Sequence, residues 1–139
     1  MRQASHEVVV ETSGRGLVDI TREITEWAAG QNMASGLLTV FIRHTSASLL
    51  IQENADPEVQ ADLNRFFARL APDGDPLFRH RAEGPDDMPA HVRAALTQTS
   101  LSIPVMGDRL ALGTWQGIYV YEHRLSPQRR VVALHLIGE

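Results

Sequence analysis

The sequence of 139 residues contains no cysteine. This excludes disulfide bonds, thiolate metal sites and a cysteine nucleophile. No apolar run approaches the roughly 20 residues that a membrane-spanning helix needs. A signal-peptide core is also missing, because Glu7 and Glu11 interrupt the apolar residues near the N-terminus. These absences predict a cytoplasmic protein without a membrane partner.

Basic residues are not in excess. The chain has 13 Lys and Arg against 17 Asp and Glu, which gives a formal net charge of −4 at pH 7. Because general nucleic-acid-binding surfaces carry a basic excess, no nucleic-acid partner is expected. One local basic cluster, formed by Arg124, Arg129 and Arg130, is compatible with a solvated strand end or turn.

Length and composition indicate one ordinary globular domain. A chain of this length suits a single domain, and 43% hydrophobic with 22% charged residues is typical of a water-soluble fold. No internal repeat, low-complexity tract or linker divides the chain. We therefore predict one domain over residues 1–139.

Strand patterns outnumber helical patterns. Helices are predicted at 20–29 after a cap at Asp19, at 57–71 after a cap at Asp56, and from near Pro89 to 98. Strands are predicted at 6–12, at 37–53 as one strand or two joined ones, and at 100–105, 109–112, 115–124 and 130–137. Because no regular βαβ alternation appears, the pattern predicts an α+β fold with a largely antiparallel sheet.

A polar block, "RHTSASLLIQENADPE", interrupts the long strand pattern at residues 43–58. Alternate residues of an extended strand face opposite sides. If residues 44–54 are extended, one side carries His44, Ser46, Ser48, Leu50, Gln52 and Asn54. The other side is mostly apolar and is expected to face the core. The polar side fits the lining of a cleft or, equally, a solvated sheet face with an incidental histidine.

Two further segments carry clustered polar residues. In "GTWQGIYVYEHR", Gln116, Glu122 and Arg124 share one strand face, whereas Trp115 is expected in the core. The long loop and helix start at 72–91 carry His80, Glu83, Asp86, Asp87 and His91. With His44 this makes three imidazoles, the ligand set of many catalytic zinc sites, with carboxylates to orient them or to bind the ion. Their spacing matches no short zinc motif, so separate histidines remain the alternative.

Several motifs together resemble one family. "HTSASL", "EN" with "DP", "EGPDDMPAH", "LGTWQGI", "EHR" and "RRV" occur in this order. As a set they resemble the YjbQ family, often labelled secondary thiamine-phosphate synthase, over residues 7 to 139. The resemblance implies a compact α+β sandwich that associates as a homotrimer and holds a metal or anion in a polar pocket. His123 and His135 lie outside its recurrent positions and are expected to be ordinary strand residues.

The resemblance also implies roles for individual residues. The expected metal ligands are His44, His80 and His91, with zinc or magnesium as the divalent ion. The expected catalytic residues are Asn54, Glu83, Asp87 and Gln116, and the expected substrate-binding residues are Thr45, Ser46, Ser48, Glu122 and Arg124. The implied reaction joins hydroxymethylpyrimidine diphosphate to thiazole phosphate and releases pyrophosphate, as a main or a secondary activity. The alternatives are a non-catalytic trimeric module that binds metal or phosphate, and a metal-assisted phosphoester hydrolase.

Overall fold

Alternating apolar segments of the chain form two antiparallel sheets. The computed structural model describes all 139 residues. The five-stranded sheet has the order β1-β8-β3-β5-β6, and the three-stranded sheet has the order β2-β7-β4. The strands are β1 (Arg2–Glu11), β2 (Gly16–Asp19), β3 (Ser35–Ile42), β4 (Ala47–Glu53), β5 (Ser100–Met106), β6 (Arg109–Leu110), β7 (Gln116–Glu122) and β8 (Arg129–Gly138). The predicted α+β fold with antiparallel strands is confirmed.

Three helices complete the fold: α1 (Thr21–Gly30), α2 (Pro57–Leu70) and α3 (Asp87–Leu96). The start of α2 follows the prediction, because the Asp56 carboxylate accepts a hydrogen bond from the Glu58 N–H at 2.9 Å and Pro57 occupies the first turn. None of the helices is long and apolar enough to cross a membrane.

One hydrophobic core lies between the two sheets. Every second residue of β8 is buried, including Leu134 and Leu136, and these side chains belong to the same cluster as Leu49 and Val120 of the smaller sheet. The opposite face of the smaller sheet is covered by α2, where Phe67 packs edge-on against Tyr121 with ring centroids 5.8 Å apart. The larger sheet has no such cover on its outer face.

The polar block at 43–58 differs from its prediction. β3 ends at Ile42 and β4 begins at Ala47, so residues 43–46 form a turn and not part of a strand. Side-chain hydrogen bonds hold this turn: His44 accepts from the Val131 N–H, and Ser46 accepts from Arg130. The period of two therefore applies only from Ala47 onward.

Two helix starts also differ from prediction. Residues 16–19 form β2 and α1 begins at Thr21, with Ile20 at the capping position and no side-chain cap. Asp19, which directly precedes the capping position, nevertheless accepts a hydrogen bond from the Thr21 N–H at 2.9 Å and so stabilises the first turn of α1. α3 begins at Asp87, two residues before the predicted proline.

Candidate functional site

Asp87, His80 and His91 form the only group of three or more His, Cys, Asp or Glu side chains with metal-ligand spacing. Their ligand atoms all lie within 4.8 Å of one another. Asp87 opens α3 and His91 follows one turn later, so the helical repeat places both on one face. His80 approaches from the preceding loop, and its Nε2 lies 2.7 Å from Asp87 Oδ2. We call these three residues the His/Asp cluster.

The hydrogen bond that His91 makes through Nδ1 leaves its Nε2 facing the Asp87 carboxylate. His91 Nδ1 donates to the backbone oxygen of Thr45 at 2.9 Å. In a neutral imidazole the other nitrogen, Nε2, then carries a lone pair. That lone pair lies 3.1 Å from Asp87 Oδ2, which is also an acceptor. Two acceptors at this distance repel each other unless a metal ion lies between them or His91 is protonated.

Asp87 is held as a carboxylate. Its side chain is 1% exposed, and burial alone would raise its pKa. The hydrogen bond from His80, the neighbouring His91 imidazole and the positive charge of Arg124 outweigh the burial, and they hold the pKa of Asp87 below its ordinary value. Oδ1 accepts no hydrogen bond and lies 3.0 Å from Arg124 Nη1. The cluster therefore presents a buried, ionised oxygen ligand with spare acceptor capacity.

Arg124 holds the segment that carries the cluster. Its Nε donates to Asp86 Oδ2 at 3.0 Å, and its Nη2 donates to the backbone oxygen of Glu83 at 2.9 Å. The Glu83 carboxylate is exposed and lies 3.7 Å from the same guanidinium. The hydrogen bond to Asp86 raises the pKa of Arg124 above its ordinary value, so the guanidinium stays positively charged. All three guanidinium nitrogens face protein groups, and contact with substrate stays a prediction.

Glu122 and Arg130 form a buried ion pair beside the cluster. Arg130 Nε donates to Glu122 Oε1 at 2.8 Å, and the Thr12 hydroxyl donates to the same oxygen at 2.7 Å. Glu122 is fully buried in this ion pair, and its role in substrate binding stays a prediction. Arg130 also donates to Ser46 Oγ at 3.0 Å, so the pair fixes the 43–46 turn.

His44 does not join the cluster, contrary to its prediction as a metal ligand. Its Nε2 accepts the N–H of Val131 at 2.8 Å, which commits that lone pair to the backbone. Partial burial and the charge of Arg130 lower the pKa of His44 below its ordinary value. The third member of the cluster is Asp87, where the prediction had His44.

Asn54 and Gln116 lie far from the cluster. In the β4–β7 ladder Ala47 pairs with Glu122 at one end and Glu53 pairs with Gln116 at the other. A seven-residue strand spans roughly 20 Å, so the two ends cannot share one pocket within a chain. Gln116 accepts the Gly113 N–H at 2.8 Å, and Asn54 donates to a neighbouring backbone oxygen. Within a single chain both residues order a turn away from the cluster, and their catalytic roles stay predictions.

Ser48 and Trp115 also differ from expectation. Ser48 faces away from the core as predicted, but it is 1% exposed because His123 and Thr97 cover it. Its hydroxyl lies 2.9 Å from His123 Nε2 and accepts from Thr97 Oγ1 at 2.6 Å. Ser48 is therefore not placed to bind substrate. Trp115, expected in the core, is 61% exposed.

A cavity of about 580 Å³ opens beside the cluster. It lies between the 43–46 turn and α3, and we call it the turn cavity. Its lining includes His91 from the cluster together with Arg43, His44, Thr45 and Thr99, and apolar residues from β3 and α3. The cluster therefore borders a space large enough for a small organic molecule.

Sequence reasoning missed Arg130 and Arg43. In β8 the period of two places Arg130 on the same face as Val132 and Leu134, which marks it as a buried charge that needs a partner. Arg43 carried no such signal, because an arginine in a turn is usually a surface residue.

Taken together, the fold and site define a two-sheet α+β domain with a His/Asp cluster beside a small-molecule cavity. The family model described as "UPF0047 protein YjbQ-like" matches residues 6–139. The chain belongs to the YjbQ/UPF0047 family, as the sequence motifs predicted.

Relatives and solved structures agree with this assignment. UPF0047 protein sll1880 of Synechocystis sp. is 50% identical over 99% of this chain and 94% of its own length. UPF0047 protein YjbQ of Salmonella typhimurium is 42% identical over 95% of this chain and 96% of its own length. The crystal structure of hypothetical protein APE1520 from Aeropyrum pernix K1 superposes with a TM-score of 0.89 at 33% identity, covering 98% of this chain and 99% of that one.

Proposed function

We propose that the His/Asp cluster is the metal centre of an enzyme that acts on phosphorylated small molecules. The observation that supports this most directly is the pair of facing acceptors, His91 Nε2 and Asp87 Oδ2, 3.1 Å apart. A metal ion would turn this repulsion into shared coordination, and the Thr45 carbonyl would fix the imidazole as an outer partner. Two imidazoles and one carboxylate suit zinc or another transition ion better than magnesium, which prefers oxygen ligands.

The specific reaction that we propose is the one implied by the family resemblance. The thiazole nitrogen attacks the methylene carbon of hydroxymethylpyrimidine diphosphate, the C–O bond breaks, and pyrophosphate leaves with the bonding electron pair. Negative charge grows on the leaving oxygens, and a divalent ion supplies positive charge at that point. The thiazole nitrogen is the nucleophile, so the chain needs no nucleophilic side chain. These phosphorylated intermediates support a cytoplasmic location.

The residues of the chain have distinct tasks in this proposal. Asp87, His80 and His91 would hold the ion, and Arg124 keeps the Asp87 carboxylate charged and in place. The turn cavity would receive the substrate next to His91, and its wall carries the guanidinium of Arg43, which is also paired with the exposed Glu7 carboxylate at 3.1 Å. This charge favours a substrate that carries phosphate groups.

The test is thiamine-phosphate synthesis by purified protein, measured by chromatography with both substrates. We expect synthesis that is lost after chelation, is restored by zinc or another transition ion, and is reduced at least a hundredfold in His80→Ala. Full synthesis by chelated protein and by the variant would refute the metal-dependent reaction. Release of phosphate from simple esters without synthesis would instead indicate the hydrolase, and metal binding without turnover would indicate a binding module.

We also propose that the chain forms a homotrimer through the outer face of the larger sheet. On β3, β5 and β8 the only Asp, Glu, Lys or Arg at an outward position is Arg129, at the start of β8, whereas Leu37, Phe41 and Ile137 are each 38–45% exposed. A face with exposed apolar side chains and so few charges is typical of an interface. Tyr119 and Tyr121 of the smaller sheet are buried inside the chain and are not available to this interface. Sedimentation that shows a monomer at micromolar concentration would contradict the trimer.

A further inference from the structure

The imidazole of His44 has one nitrogen in use and one nitrogen free. Nε2 accepts the backbone N–H of Val131 at 2.8 Å. Because a backbone N–H can only donate, Nε2 carries no proton, and the proton of the neutral ring sits on Nδ1. The contact with Val131 is the only hydrogen bond that the His44 side chain makes within the protein, so Nδ1 has no acceptor there. The structure therefore presents an N–H donor that nothing in the chain uses.

The ring of His44 lies in the wall of the turn cavity. The same wall carries Arg43 and the hydroxyl groups of Thr45 and Thr99, and neither hydroxyl has a hydrogen-bond partner in the protein. The remaining lining is largely apolar, with Ala94 and Ala95 on the α3 side. The cavity is thus lined by both hydrogen-bond donors and apolar side chains, as many small-molecule sites are.

The tautomer of His44 is enforced by its surroundings. Partial burial and the nearby Arg130 guanidinium lower the pKa of His44, which favours the neutral ring. A protonated ring would also place an N–H of its own against the N–H of Val131. His44 can therefore act as a donor through Nδ1, but it cannot act as a metal ligand through Nε2.

We propose that His44 is a neutral hydrogen-bond donor to a phosphoryl oxygen of the substrate, and that the turn cavity binds an organic phosphate whose apolar body lies against Ala94 and Ala95. The inference rests on the proposed function for the neighbouring metal centre, and it adds the role of His44 and the wall against which the apolar part of the substrate lies. It removes His44 from the metal ligands.

Three substitutions of His44 distinguish a role as hydrogen-bond donor to the ligand from a purely structural role. His44→Ala removes both nitrogens. His44→Asn keeps an N–H donor near the position of Nδ1, whereas His44→Gln keeps an acceptor near the position of Nε2 and so preserves the contact with Val131. Zinc content, thermal stability and ligand affinity are measured for each variant, with phenyl phosphate and inorganic phosphate as the probes, in zinc-loaded and in zinc-free protein.

We expect all three variants to bind as much zinc per chain as the wild type. Phenyl phosphate should bind the wild type several-fold more tightly than inorganic phosphate does, because its ring contacts the apolar wall. His44→Ala and His44→Gln should weaken phenyl phosphate binding about tenfold, the usual effect of losing a hydrogen bond to a charged group. His44→Asn should retain most of the affinity.

Other outcomes overturn the proposal. Loss of zinc in His44→Ala would make His44 a ligand, and unchanged phenyl phosphate affinity in that variant would make its role structural. Equal affinity for the two probes would refute the substrate class, as would a wild type that binds neither. A wild type that binds no zinc refutes the metal centre instead, and the zinc-free titrations then still decide the role of His44.

Discussion

The buried histidine His123 makes the stability of the fold depend on pH in a calculable way. The ring is fully buried, and burial together with the charges of Arg93, Arg15 and Arg130 lowers its pKa to about 3. In the unfolded chain the pKa of a histidine is about 6.5. Below pH 6.5 the unfolded state binds a proton at His123 that the folded state does not bind. The free energy of unfolding therefore falls as the pH falls from 6.5 towards 3.

The magnitude follows from the difference between the two pKa values. Each pH unit in this window costs about 1.4 kcal/mol. Between pH 7.5 and pH 4.5 the loss from His123 alone is therefore about 2.7 kcal/mol. A variant without a titratable group at this position should not show this loss of stability. His123→Gln is the matched change, because its amide can still reach the Ser48 hydroxyl that contacts His123 Nε2 at 2.9 Å.

The assay is urea unfolding of wild type and His123→Gln at pH 7.5 and pH 4.5. Other groups that titrate in acid, such as Asp87, are common to both proteins and cancel in the comparison. We expect the wild type to lose about 2.7 kcal/mol more than the variant between the two pH values. If both proteins lose the same stability, His123 is not held neutral by burial and the reasoning fails.

Four further predictions test separate parts of the structure. Arg124→Gln should weaken zinc binding 10- to 100-fold in equilibrium titrations without unfolding the chain, and unchanged affinity would show that Asp87 needs no partner. Glu122→Gln should cost about 3–5 kcal/mol in urea unfolding because it strands the buried Arg130, and a loss below 1 kcal/mol would contradict the ion pair. Asp56→Ala should cost about 1 kcal/mol through the lost helix cap, and no change in the unfolding midpoint would contradict that cap. Gln116→Ala should leave zinc affinity unchanged, since Gln116 lies at the far end of the β4–β7 ladder, and a tenfold loss would place it at the metal centre.

Much of the fold follows from local sequence signals. Asp56 and Pro57 mark the start of α2 because a capping carboxylate and a proline in the first turn act locally. The alternating pattern of 130–137 likewise identifies β8 as a strand with one buried face. The 43–46 turn could not be predicted in this way. Its conformation depends on hydrogen bonds from Arg130 and Val131, which lie more than 80 residues away in the chain.

The candidate site was predictable only in part. The helical repeat brings Asp87 and His91 together, and this spacing is visible in the sequence. The sequence offered His44 as the third imidazole, because it cannot show that Val131 occupies Nε2. It also grouped Gln116 with this site, because the order of motifs along the chain does not reveal which end of an antiparallel ladder each one occupies.

The metal centre is tested most directly by the number of zinc ions bound per chain, measured by equilibrium dialysis and elemental analysis of wild type and Asp87→Asn. The structure predicts one zinc per wild-type chain, and a loss of at least a hundredfold in affinity when the buried carboxylate becomes an amide. Circular dichroism confirms that the variant is folded. A folded wild type that binds no zinc or other transition ion, or a variant that binds zinc as tightly as the wild type, would contradict the account.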